Sequence, residues 1–424
     1  MHSNKLLLYS LFIIFCLVGL TGLTANSACA DEETLDLATL ISEALSRNPE
    51  LLAFSSRVAA AQYRVPQAKS LPDPMFMLGY QNEGWERYTY GDMPDAQWMF
   101  SISQMFPFPG KLALKERMTA RDAEGLADVY KSLKLKTIEK VKGLYYDLLL
   151  GYKSIELIKE RIRLFSGIED AALARYSTGM APQQEVLMAQ TEKYMLIEKE
   201  EMFKQKIQAT EAMLNAAVGR DASSPLGRPA ERVFNKIENS LQEVTKKAFE
   251  NSPELKSKEK MIASAEAGAL MAKKEYYPDF TLTAGYFRRS DEFDDMWSLT
   301  TAMNIPLFYK TKQRQAVFEA EAMLSEARSM LEATKLMISS DIRDNYSMMK
   351  TSEKLMDLYK SALIPKTIQD FEGALAGYIS GKIEAITVIY RLKALLDYEL
   401  LYWEKFVGRE KAIARIEAVA GKNE

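Results

Sequence analysis

The chain has 424 residues, 47% hydrophobic and 27% charged, with a formal net charge of −3. Apolar content on that scale builds a packed core, and the charge balance carries no polyanion-binding signature, so disorder and nucleic-acid binding are both excluded. Two cysteines and one histidine are all it holds, and Cys16, Cys29 and His2 fall within the first 29 positions.

Residues 1–30 read as a secretory signal. Lys5 supplies the positive n-region, Leu6 to Leu20 the apolar h-region, and Ala28-Cys29-Ala30 the small-residue cleavage pattern before Asp31. Cleavage after Ala30 leaves no cysteine and no histidine. A disulfide framework, a thiolate nucleophile, a Cys/His zinc site and a histidine base are then impossible, and the chain is expected to be no enzyme and to hold no cofactor. No later run reaches the roughly 18 consecutive apolar residues of a spanning helix, which excludes a helical membrane protein but leaves a β-barrel open. Met348 and Met349, two of 22 methionines, invite a soft-metal reading. Most methionines sit at core spacings, where the thioether fills gaps, so no metal site is expected. Ser380-Gly381-Lys382 is followed by Ile383 rather than the Ser or Thr of a phosphate loop.

After the signal, five landmarks occur twice in the same order. Asn48-Pro49-Glu50-Leu51 recurs as Ser252-Pro253-Glu254-Leu255, and Pro72-Asp73 as Pro278-Asp279. Gly79-Tyr80 recurs as Gly285-Tyr286, and Phe106-Pro107 leading to Lys111 as Ile305-Pro306 leading to Lys310. Tyr176-Ser177-Thr178-Gly179 recurs as Tyr378-Ile379-Ser380-Gly381. The spacing predicts a signal at 1–30, a first repeat at 31–219, a linker at 220–240 and a second repeat at 241–420. Each repeat reads as helix, strand, loop, strand and long helical hairpin, a fold mainly α with a small β part.

The first strand pair is expected at about 74–82 and 96–106, the second at about 279–288 and 297–305. Phe76, Leu78 and Tyr80 share one face, as do Trp98, Phe100 and Ile102 of the return strand. Phe280, Leu282, Ala284 and Tyr286 alternate with Thr281, Thr283 and Gly285; Trp297, Leu299, Met303 and Ile305 oppose Ser298, Thr300 and Asn304, with Thr301 and Ala302 out of phase. Such runs suit tilted strands crossing a bilayer, with aromatic residues near their ends as a girdle, although amphipathic strands also build soluble sheets. The loop acids Asp291, Glu292, Asp294 and Asp295 lack the Asp-x-Asp-x-Asp-Gly pattern of a Ca²⁺ loop.

The hairpins are predicted over about 111–218 and 312–418. Val141, Leu144, Leu148, Ile155, Ile158, Ile162 and Phe165 step by three and four, with Gly151 in the gap. Val317, Ala320, Leu324, Ala327, Leu331, Thr334 and Ile338 do the same, as do Ile389, Leu392, Leu396, Trp403 and Phe406 with Glu399 at the missing step. These are heptad seams, compatible with coiled coils and with an ordinary helical bundle. Four strands leave two open edges that cannot persist in lipid, and the smallest bacterial barrels have about eight strands. Two or three copies would therefore have to close the sheet.

These features resemble the TolC family of outer-membrane efflux and secretion ducts, from about Leu37 to Val419. The residues that carry the likeness are the Asn48–Leu51 helix start, the Pro-Asp strand openings, the Tyr-x-x-Gly turns and the twofold repeat. Ser103 to Lys111 resembles the segment leading out of the second strand in the heavy-metal efflux branch. The resemblance implies a homotrimer with a twelve-stranded barrel in outer-membrane lipid, continued by an α-helical barrel in the periplasm. It also implies two partners: a periplasmic adaptor and an inner-membrane transporter, of the RND type by the branch likeness. A protein-secretion duct is the alternative within the family, and a secreted coiled-coil structural protein the alternative outside it.

Carried residue by residue, the resemblance puts Tyr176, Gly179, Tyr378 and Gly381 in adaptor-docking turns. Six residues past each turn glycine, where the family often narrows the tunnel mouth with acids, stand Glu185 and Thr387, with Tyr390 one helical turn on. The expected gate is tyrosine bulk and one carboxylate per subunit, against a plain packing role for the same residues. Cys29 is the one candidate for a lipid anchor, with small residues before it but Asn26 where an aliphatic residue is usual.

Overall fold

The computed structural model describes residues 34–230 and 240–421; the signal, Cys29 and part of the linker lie outside the described residues. Two short helices come first, α1 (Leu37–Arg47) and α2 (Pro49–Lys69). Asp36 caps α1 by accepting the Thr39 N–H at 2.9 Å, and Leu37, Leu40 and Ala44 form its buried face. Asn48 ends α1 and starts α2, its side chain accepting the N–H groups of Glu50 and Leu51. With Pro49 at the first helical position, that cap forces a sharp bend. Strands β1 (Met75–Gln81) and β2 (Gln97–Phe106) follow, then the hairpin α3 (Lys111–Ser177) and α4 (Gln183–Val218). With no internal proline, α3 runs unbroken for 67 residues, about 100 Å at roughly 1.5 Å per residue.

The same order returns. Ser240 and Glu243 make a capping box for α5 (Leu241–Asn251), and Pro253 opens α6 (Pro253–Lys274). Then come β3 (Phe280–Arg288), β4 (Met296–Met303), α7 (Gln313–Leu358), a π segment (Tyr359–Leu363), α8 (Ile364–Ile379) and α9 (Ala385–Ala420). Here the helix that leaves the sheet is interrupted, and Pro365 supplies the reason. A proline nitrogen cannot donate to the ladder and its ring crowds the preceding turn, so the register widens by one residue. The N–H of Ile364 accordingly donates to the carbonyl of Tyr359.

Each half closes at its base by the same device. Gly219, at φ +91°, ends α4 so tightly against α1 that an added Cβ would lie 2.7 Å from the Arg47 carbonyl oxygen. Gly421, at φ +75°, does the same to Asn251 at 2.8 Å. Any larger residue would force the long hairpin away from the short helix.

The strands form one antiparallel sheet in the order β1-β2-β3-β4, so β1 and β4 are its edges. Most of the core lies elsewhere, in clusters strung along the helices. One joins α1, α3, α4 and α9 around Tyr145, Leu148 and Leu214, and another joins α3, α4, α8 and α9 around Ile158, Phe165 and Leu392. The seam residues Val141, Leu148, Ile158 and Phe165 are buried, and at Gly151 an added Cβ would meet Ile207 at 2.7 Å. Glu399, at the apolar seam's missing step, pairs with buried Arg161 of α3. Burial pushes the Glu399 carboxyl up, and Arg161 opposes the shift. Of the two adjacent methionines, Met349 is fully buried in the core and Met348 is exposed.

Candidate functional site

Pairing sorts the sheet into two chemically distinct faces. On one face the row Leu78–Phe100–Tyr286–Trp297 lies beside the row Phe76–Ile102–Ala284–Leu299, flanked by Phe106–Phe280–Met303. Thr301, which the alternation left out of phase, sits on this face opposite Leu282. The opposite face is mixed: Met77–Ser101–Gly285–Ser298 and Met75–Ser103–Thr283–Thr300 carry the hydroxyls, with those of Ser103 and Thr283 2.9 Å apart, and Gly79–Met99–Phe287–Met296 forms an apolar row nearer the loops. The apolar face is bare: Phe76 is 68% and Trp297 81% exposed. So large an uncovered apolar surface demands an apolar surrounding or a partner. At the loop end Tyr80, Tyr88, Tyr90 and Trp98 cluster within 5.0–6.5 Å. Rings with one polar edge are what a membrane–water boundary selects.

Two of the loop acids have local partners for their carboxylates, and a third contributes its backbone carbonyl. The Asp295 carboxylate accepts the Arg289 N–H at 2.9 Å, Arg288 pairs with Asp291 at 3.4 Å, and the Asp294 carbonyl accepts from the Arg289 guanidinium. Tyr90 donates to the Arg289 carbonyl at 3.0 Å, which ties the two strand loops together.

At the far end of the helices the two hairpin turns lie side by side. Gly179 and Gly381 adopt φ of +72° and +74°, the left-handed conformation that lets each helix end in a tight turn. Arg175, in the last turn of α3, crosses to the second hairpin. Its Nη1 donates to the Tyr378 carbonyl at 2.6 Å, and its guanidinium carbon stands 4.6 Å from the Tyr378 ring centroid. The Tyr378 hydroxyl donates to Glu185 Oε2 of α4 at 3.1 Å. Three helices thus meet at one buried tyrosine. Its phenol is pushed up to about 12, first by burial and then by the Glu185 charge.

A sequence model of outer membrane efflux proteins matches residues 40–220 and 244–389. The chain belongs to the outer membrane efflux protein family. The cobalt-zinc-cadmium resistance protein CzcC of Cupriavidus metallidurans is 20% identical over 403 residues, spanning 92% of this chain and 90% of that protein. Among solved structures, a membrane protein from Pseudomonas aeruginosa superposes with a TM-score of 0.81 at 16% identity, covering 92% of this chain and 91% of that one. The outer membrane protein VceC of Vibrio cholerae gives 0.78 at 17% identity, covering 91% and 96%.

This efflux protein is therefore an outer-membrane channel that extends into the periplasm. Within it, two of the residues taken from the family resemblance are buried. Tyr378, expected on an adaptor-docking turn, is 0% exposed, and its ring is enclosed by Arg175 and the helices around it. Glu185, expected at the tunnel mouth, is only 9% exposed because Tyr378 holds it between helices. Tyr176 remains half exposed beside Gly179. Thr387 is half buried and Tyr390 is 64% exposed, one helical turn apart on α9. Arg175 was missed by sequence reasoning. Its role depends on a contact between residues 203 positions apart, which no local spacing signals.

Proposed function

We propose that three copies of this efflux protein close one twelve-stranded barrel in the outer membrane and one helical tunnel below it. The observation that carries this reading is the two-faced sheet with both edges open. A four-stranded sheet in lipid leaves unsatisfied N–H and C=O groups along β1 and β4, and joining β4 of each copy to β1 of the next removes every edge. Twelve strands enclose a lumen, whereas eight leave an interior that side chains nearly fill. The face that carries Ser101, Ser103, Thr283 and Thr300 among methionines then lines the passage, and the aromatic face meets lipid. The chain is read as a duplicated unit, 31–219 and 241–420, joined by 220–240, with residues 1–30 removed on export.

In this reading cargo is delivered by an inner-membrane transporter of the RND type through a periplasmic adaptor, and the wall conducts it passively. The adaptor docks on the turns at Gly179 and Gly381 with Tyr176 as an exposed contact. Tyr390 and Thr387 narrow the mouth by bulk. Divalent transition-metal ions are the proposed cargo, supported by the likeness to CzcC. The test is direct. The detergent-purified chain should be trimeric by light scattering and conduct in planar bilayers, and Tyr390→Ala should raise conductance. A water-soluble, non-conducting chain would defeat the barrel; unchanged Tyr390→Ala conductance would defeat the gate. Loss of the protein should sensitise cells to zinc, cobalt or cadmium, and unaltered tolerance would remove metal as cargo.

A further inference from the structure

Below the sheet, the exit of the first strand hairpin locks onto the entry of the second. Phe108 stacks on Tyr277 with centroids 4.5 Å apart, and its N–H donates to Asp279 Oδ1 at 2.7 Å. Buried Lys111 places Nζ 2.9 Å from Asp279 Oδ1 and 3.2 Å from Glu275 Oε2. Breaking such a pair strands a charge away from water, so the junction is a fixed point of the wall. Beneath it α3 packs along α6, with Lys260 and Glu124 paired at 2.7 Å and the Ser264 hydroxyl donating to the Met118 carbonyl at 3.4 Å.

The second hairpin's exit and the first hairpin's entry carry the same pieces. Pro306-Leu307-Phe308-Tyr309-Lys310 repeats the proline-to-lysine spacing of Pro107 to Lys111, and Pro72-Asp73 repeats Pro278-Asp279. Within one chain these pieces cannot meet, because Lys310 follows β4 and Asp73 precedes β1, at opposite edges of the sheet. Both side chains are exposed, and no ion pair or side-chain hydrogen bond engages either one among the described residues. Leu307 and Phe308 beside Lys310, and Leu71 beside Asp73, are exposed too. The helices α7 and α2, counterparts of the packed pair α3 and α6, share no packed face.

We propose that Lys310 of one copy pairs with Asp73 of the next, so that the boundary between protomers rebuilds the internal Lys111–Asp279 junction. This rests on the ring closure proposed above and gives it a residue-level contact. A second copy of this chain is the occupant because its own internal junction supplies the template. The charges are also complementary, a free ammonium at one edge and a free carboxylate at the other. The contact is head-to-tail, the kind that closes into a ring.

Beyond Cys29 the chain has no cysteine, which makes thiol cross-linking specific. In outer-membrane vesicles, Asp73→Cys/Lys310→Cys treated with a short bis-maleimide should give covalent dimers and trimers, while each single variant stays monomeric on denaturing gels. Lys310→Asp should lose the SDS-resistant oligomer at least tenfold, and adding Asp73→Lys should restore it. A protein that is trimeric by light scattering, labels with maleimide at both introduced cysteines and yet gives no inter-copy cross-link would overturn the pairing while leaving the ring intact. A wild-type chain that is monomeric in detergent would overturn the ring closure itself.

Discussion

The two hairpin tips carry the same Tyr-x-x-Gly turn, Tyr176 to Gly179 in the first and Tyr378 to Gly381 in the second, and the glycines share one backbone conformation. Their tyrosines differ in every other respect. Tyr176 stands half exposed at the end of α3, whereas Tyr378 is sealed between α3, α4 and α8 with Arg175 over its ring and Glu185 on its hydroxyl. A repeated motif therefore specifies the turn but not the work of the side chain beside it. Position in the wall decides that: the second tip reaches across to partners on the first hairpin, and among the described residues Tyr176 makes no matching reach.

The comparison is broken most severely by Tyr378→Ala. Removing a fully buried ring that also holds Glu185 and Arg175 should weaken the tip by about 3–5 kcal/mol. Hydrogen exchange of amides around Ala172–Ala189 and Phe371–Leu392 should accelerate at least a hundredfold. Tyr378→Phe keeps the ring but leaves the buried Glu185 carboxylate without its donor, at a cost of about 1–3 kcal/mol in the same assay. The phenol predicts the pH response as well. Its pKa in the fold, about 12, lies above the ordinary tyrosine value, so the protonated form is the stabilised one. Its contribution is complete below about pH 10 and is lost as pH rises through about 12. Tip exchange, corrected for its intrinsic base dependence, should accelerate across that interval in wild type and not in Tyr378→Phe.

Gly179→Ala and Gly381→Ala test what the tips share. Nothing lies within 4 Å of the added Cβ at either site, so only the left-handed φ opposes the change, by about 1 kcal/mol in each tip. Unequal costs would show that the two turns are less alike than their backbones. Tyr176→Ala, at an exposed position, should change tip exchange by less than about 0.5 kcal/mol, and any effect should appear in adaptor binding instead.

Much of this chain is legible without coordinates. Large apolar residues at every second position from Phe76 to Tyr80 and from Trp98 to Ile102, with Met77 and Met99 the exceptions between them, reveal the strands because a pleat turns every second side chain to the same side. The absence of proline from Leu112 to Tyr176 announces the long helix, since nothing else in that stretch interrupts the ladder. Thr301 was harder: a threonine on an apolar face breaks the hydropathy pattern, and only the pairing with Leu282 assigns its side. Glu399 shows a middle case. Its place in the seam was visible as an irregularity, but Arg161, which explains it, lies 238 residues away.

The sequence by itself determined the elements, their repeated order and the sidedness of the strands, because each follows from local backbone geometry and the period of apolar residues. The tertiary structure alone decided which side chains are spent on the inside. It buried Tyr378 between Arg175 and Glu185, left Tyr390 at the surface, and paired Lys111 with Asp279 while Lys310 and Asp73, at the sheet's edges, have no ion pair among the described residues. Those outcomes depend on which helix faces meet over separations of about two hundred residues, and local spacing carries no record of such contacts.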